Sequence, residues 1–144
     1  MSLDRRGQIA TLVEHYQNPR YRGIVEDADV AMPGGSPECG GSVVIYLKAG
    51  EEGRIDALSF TGEGDIISQA ATSMILERVV DAGLTMDEVI TLDYEAFVDR
   101  VGRAVVGSRT RNATLGLSTL KSAVRKYQKD RLHNGSTAEP ACSS

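Results

Sequence analysis

Cysteine is scarce in this chain of 144 residues: there are two, Cys39 and Cys142, far apart in sequence. Cys142 lies in a polar tail, so no structural disulfide is expected in a reducing compartment, and Cys39 stands as the only thiol of the folded-looking part. A positive excess is also missing. Lys and Arg number 16 against 20 Asp and Glu, net charge −4, which excludes a nucleic-acid footprint built on basic charge. No apolar run reaches the length of a bilayer span, and Met1–Arg6 leads into charge instead of a signal-peptide apolar core. A cytoplasmic protein with no membrane partner is expected. Gly62-Glu63-Gly64 precedes a helix pattern but lacks the Gly-Lys-Ser/Thr of a phosphate loop, and acidic residues at that helix start repel phosphate. No nucleophile–base pair with supporting spacing and no internal repeat are present, so the chain is not read as an enzyme.

What is present fits one domain over residues 1–132, followed by a Ser-, Asn-, Gly- and Pro-containing tail, 133–144, expected to be disordered. Ile9, Leu12, Val13 and Tyr16 recur at helical spacing and predict a short amphipathic helix ending before Pro19. Alternation at Val43, Ile45 and Leu47, a turn at Gly50–Gly53, and a second run through Ile55, Leu58 and Phe60 toward Thr61 predict a hairpin. Asp29–Met32 supplies a third strand. Ile66–Ala82 reads as a helix that Asp65 starts and Gly83 stops, Thr85 and Glu88 form a capping box, and Asp93 caps a helix through Val101. Ala113, Leu117, Leu120, Val124 and Tyr127 form an apolar stripe on a last helix running to about Arg131. Strands first and helices afterwards predict an α+β fold, a small antiparallel sheet of about three strands with helices on one face.

Four segments carry the chemistry. Upstream is His15-Tyr16-Gln17-Asn18-Pro19-Arg20-Tyr21-Arg22-Gly23. Next comes the turn Ser36-Pro37-Glu38-Cys39-Gly40-Gly41, then Phe60-Thr61-Gly62-Glu63-Gly64-Asp65, and finally Arg111-Asn112-Ala113 at the start of the last helix. In this order they resemble the iron–sulfur cluster assembly scaffold family, IscU, SufU and the amino-terminal domain of NifU, over about residues 8–131. That family carries an Asn-Pro-Arg-x-x-Gly segment, a Cys-Gly-Asp turn, a Gly-rich turn with cysteine before a helix, and a cysteine opening the last helix.

Carried over by position, the resemblance implies ligand positions at Cys39, Gly41, Asp65 and Asn112, with Arg111 where IscU has a histidine; one of these is a cysteine here. An iron–sulfur cluster takes about four thiolate-type ligands, so the expected cofactor is none, with a cluster, iron or zinc as the alternative. Cys39 is read either as a sulfur acceptor activated by Arg111 or as an unactivated turn residue. Asp65 is read as a helix cap paired with Arg111, a clamp in place of metal. The resemblance implies a cysteine desulfurase or other cluster-assembly proteins as partners. Two alternatives stand beside it: a binding or regulatory module on the scaffold fold without metal, and a homo-oligomer whose two Cys39 thiols share a metal. The stretch Val105–Arg109 replaces the Leu-Pro-Pro-Val-Lys that IscU presents to its chaperone, and the interval from Asp65 to Asn112 is too short for the insertion of a typical SufU. His15 is read as a packing or surface residue. The arginines at 100, 103, 109 and 111 are read as solvated surface or as a docking patch for an acidic partner.

Overall fold

Asp4 opens the first helix by accepting from Gly7 N at 2.8 Å. Helix α1 spans Arg5–Gln17 and stops at Asn18, before Pro19, as the sequence predicts. The computed structural model describes residues 4–36, 38 and 40–134. The expected apolar stripe of α1 is corrected: Leu12 and His15 are buried, whereas Ile9, Val13 and Tyr16 are exposed. The main contact of α1 is with α2 (Ile66–Ala82), with a lesser one to the short helix Arg103–Val106, and neighbours this narrow cover only a thin line of a helix surface.

The sheet is β1 (Val30–Ser36), β2 (Gly41–Ala49) and β3 (Ile55–Gly64), antiparallel and in that spatial order. Val43, Ile45 and Leu47 alternate into the core, and β2 pairs Ile45 with Phe60 and Leu47 with Leu58. Strand β1 runs four residues beyond the predicted Met32, through Pro33, which an edge strand tolerates because a proline needs no partner for a missing N–H. The predicted hairpin turn is a short 3₁₀ turn, Glu51–Gly53, with Glu52 at φ 58°. Strand β3 extends to Gly64, so the Gly-Glu-Gly segment is the end of a strand.

Helix α2 has the predicted bounds, capped by Asp65 and closed by Gly83 at φ 64°. Helix α3 (Met86–Ile90) carries the reciprocal Thr85–Glu88 capping box, and Asp93 caps α4 (Tyr94–Val101). A four-residue helix, α5 (Arg103–Val106), was not expected; it is set between Gly102 and Gly107, both at positive φ. Helix α6 (Thr110–Asn134) starts earlier and ends later than the stripe indicates, taking the first two residues of the predicted tail. Residues 135–144 lie outside the described residues.

Helices α2 and α6 lie over the sheet and form most of the core, Ile75, Leu76 and Val79 meeting Leu117, Leu120 and Val124. Burying each such side chain contributes about 1.5–3 kcal/mol. Their close approach depends on Gly116, where a Cβ would stand 2.5 Å from Thr72 Oγ1. Lys121, buried in α6, bonds the Leu92 carbonyl and covers the Tyr94 ring. Residues 21–23 run beside β3 in parallel: Phe60 N donates to Tyr21 O at 2.9 Å and Gly23 N to Phe60 O at 2.8 Å.

Candidate functional site

Both long core helices begin at one end of the sheet, where β2 starts and β3 ends, and this brings the distant segments together. Asp65 sits at the join. Its Oδ1 accepts from Ser68 N at 2.8 Å as the cap of α2, and its Oδ2 accepts from Asn112 Nδ2 at 2.7 Å, in the first turn of α6. The carboxylate therefore lies where the first turns of two helices meet, accepting from both. Its own N–H donates to Gly40 O at 2.8 Å, fastening the turn before β2 to the same point.

Two glycines let the segments close. Gly40 has φ 100°, and a Cβ there would lie 2.5 Å from Asn112 Nδ2. At Gly41 a Cβ would lie 2.4 Å from Ser68 Oγ and 3.3 Å from Glu63 O. The position that the resemblance marks for an aspartate is thus filled by the buried Ser68 hydroxyl. Beside it is a recess of about 230 Å³ lined by Gly35, Ser36, Gly41, Ser68, Arg111, Asn112 and Leu115.

The expected Asp65–Arg111 pair is corrected. The guanidinium within ion-pair reach of Asp65 is that of Arg109, at 4.0 Å and largely exposed, a contact worth little against solvent screening. Arg111 lines the recess instead, because consecutive residues of a helix point about 100° apart and position 112 takes the inward direction. Cys39 lies outside the described residues, between the exposed Glu38 and Gly40. Of the arginines read as a solvated patch, Arg103 is engaged by Asp99 at 2.6 Å and Glu95 at 2.8 Å, which raises its pKa. Sequence reasoning missed Ser68 and read Arg109 only as part of the arginine patch, not as the neighbour of Asp65; the Asp-x-x-Ser spacing of a capped helix was the available signal for the first.

A metal fits poorly here. Among the described residues no three of His, Cys, Asp and Glu converge. Both Asp65 oxygens are already accepting, and Asn112 turns its N–H₂, a donor, toward the carboxylate. Gly41 offers no side chain. Zinc and iron–sulfur sites need three or four converging lone pairs, which the described residues of this set do not present.

A second polar cluster lies farther along α2. Ser73 Oγ accepts from Arg20 N at 2.8 Å and shares a hydrogen bond with His15 Nδ1, also at 2.8 Å. The other ring nitrogen, Nε2, faces Glu77 Oε1 at 3.5 Å. Burial, and then the Arg20 guanidinium, push the His15 pKa below its ordinary value, against the weaker pull of Glu77 and Glu14. His15 thus ties the Asn18-Pro19-Arg20 segment to α2, as a buried packing residue.

The chain matches the model of the NifU-like N-terminal domain over residues 9–134. The iron–sulfur cluster assembly scaffold protein IscU of Thermotoga maritima is 32% identical over 111 residues, 77% of this chain and 75% of that protein. The zinc-dependent sulfurtransferase SufU of Bacillus subtilis is 26% identical, over 81% of this chain and 88% of that protein. Among solved structures, the NifU-like protein (N-terminal) from Brucella abortus superposes with a TM-score of 0.69 at 19% identity, covering 83% of this chain and 92% of that one. A putative SUF-system scaffold from Fervidobacterium islandicum gives 0.62 at 21%, over 79% and 93%. Three-stranded sheet, helix order and sequence agree, and the chain belongs to the NifU-like N-terminal domain family, that of the iron–sulfur cluster assembly scaffolds IscU and SufU.

Proposed function

We propose that this protein serves iron–sulfur cluster assembly as a sulfur acceptor at Cys39, on a scaffold fold whose cluster-holding site is degenerate. One observation carries the reading: Asp65 and Asn112, two of the positions that the resemblance marks as ligands, satisfy each other at 2.7 Å. With Gly41 bare, the remaining reactive group of the set is a thiol, suited to transfer more than to holding a cluster. The partner is a cysteine desulfurase. In the transfer, the Cys39 thiolate attacks the outer sulfur of the desulfurase persulfide; a new S–S bond forms on Cys39, and the desulfurase cysteine leaves as its thiolate, with no external oxidant. The chain is an acceptor and not an enzyme that turns over alone, and its setting is cytoplasmic.

The mutual closure of Asp65 and Asn112 also favours a second reading, a binding or regulatory module that keeps the scaffold shape without sulfur or metal. The two part on one experiment. Purified desulfurase and cysteine are incubated with the wild type, Cys39→Ser and Cys142→Ser, and persulfide is read by mass spectrometry. Sulfur on the wild type and on Cys142→Ser but not on Cys39→Ser is expected. A wild type that takes none leaves the binding module as the account.

A further inference from the structure

Across the Gly62–Gly64 segment from the Asp65 recess lies a cleft of about 430 Å³, walled by the end of α1, the start of α2 and the end of β3. At its floor is Gln69, 6% exposed. The Gln69 amide is half used: Nε2 donates to Ser68 Oγ at 3.1 Å and to Ser42 O at 3.4 Å, while Oε1 is buried with no hydrogen-bond partner among the described residues. Turning the amide over does not repair this, since it would set Oε1 against the Ser42 carbonyl oxygen. Gln69 Oε1 lies over Gly62, 2.8 Å from where a Cβ would stand, so the missing side chain at 62 makes its space. A buried acceptor left unpaired is rare in a finished fold and calls for a donor from elsewhere.

The neighbouring main chain supplies the second observation. Antiparallel bonding alternates along β3, and Phe60 directs both its N–H and its C=O outward, to Tyr21 and Gly23. Gly62, two residues on, therefore also faces outward. Its C=O accepts from Arg22 Nη2 at 2.9 Å, and no described group accepts from its N–H. The edge has thus taken one stretch of extended chain, residues 21–23, and leaves the next donor open where the cleft begins.

We propose that this cleft docks an extended segment of a partner polypeptide, a main-chain carbonyl of which accepts from Gly62 N–H while an inward carboxamide side chain donates to Gln69 Oε1. Main-chain addition to a sheet edge provides affinity, and the side-chain recess provides selectivity. A carboxamide fits better than an ammonium, because a cation buried against one amide oxygen is left without a counter-charge. Arg22 and Glu63, of opposite sign, both line the cleft, which suits a neutral segment. The site shares no residue with the sulfur chemistry proposed for Cys39.

The test uses the full chain, labelled with ¹⁵N, and two blocked peptides, acetyl-Val-Ala-Gln-Ala-Val-amide and its leucine-centred counterpart. The glutamine peptide is expected to shift the Gly62 amide and the Gln69 side-chain N–H₂ saturably and to slow exchange of Gly62 N–H. Binding should be about tenfold weaker for the leucine peptide, and about tenfold weaker in Gln69→Leu, the scale of one lost neutral hydrogen bond. If Gln69→Leu does not fold, the two peptides on the wild type still decide the matter. Cys39→Ser should bind as the wild type does, which separates this site from the sulfur reading. No response at Gly62, or equal binding of both peptides, overturns the proposal; shifts of the same size from free glutamine would mark a small-amide site instead and overturn it as well.

Discussion

Asn112 Nδ2 donates to Asp65 Oδ2 at 2.7 Å, and through this bond the first turns of the two longest helices are held to each other and to the turn before β2. Asp65→Ala removes both the α2 cap and this tie. It should lower stability by about 0.5–2 kcal/mol, in chelator as well as without it. Asn112→Ala should lose less, and the double variant should fall short of the sum, because the pair shares one interaction. Urea melts of the four proteins measure this; strict additivity would mean that the bond contributes nothing.

Gly41 and Ser68 compete for one place. A Cβ at 41 meets Ser68 Oγ at 2.4 Å but Ser68 Cβ at 3.2 Å, so Gly41→Ala is expected to cost about 1–3 kcal/mol through overpacking. In a Ser68→Ala background the hydroxyl is gone and the cost should shrink. The same clash bears on restoring a ligand set: Gly41→Asp with Asp65→Cys and Asn112→Cys should bind zinc only when Ser68 is also reduced. Zinc uptake by the triple variant with Ser68 intact would disprove the steric account.

Metal content follows from the donor set. Protein purified without added metal should carry far less than one zinc or iron per chain by elemental analysis, and chelator should leave its thermal midpoint unmoved. Stoichiometric metal that survives dialysis and vanishes in Asp65→Ala would reverse this view.

The buried His15 makes stability depend on pH. Its folded pKa lies below the unfolded value of about 6.5, so on acidification the unfolded chain takes the proton first. The stabilisation is complete above that value and is lost as pH falls through the folded one. The urea midpoint should therefore drop between pH 7.5 and 5.5 by more in the wild type than in His15→Gln. Parallel lines for the two proteins would show that His15 does not carry the effect.

Several elements were legible because their signals are local. The bounds of α2, the Thr85–Glu88 box and the Asp93 cap depend on residues within four positions of one another, and the structure carries each of them. The alternation at Val43, Ile45 and Leu47 named the core face of β2. Other readings failed where a neighbour decided the outcome. The α1 stripe is mostly exposed because α2 and the short α5 cover only a thin line of it, and α5 has no periodic signature in four residues.

By itself, the sequence determined the composition of the site: one thiol in the family frame, a capping aspartate before α2, and an asparagine at the start of α6. Helix and strand periods, set by backbone geometry, were written in it as well. Only the tertiary structure decided which of these residues meet. That Asp65 bonds Asn112 and lies near Arg109 in place of Arg111, that Ser68 occupies the room beside Gly41, and that Gln69 Oε1 is left without a partner all follow from how α2 and α6 pack at the end of the sheet. Spacing along a chain reports direction around one helix, whereas contact between helices depends on the angle and depth at which side chains interlock, which no single segment encodes.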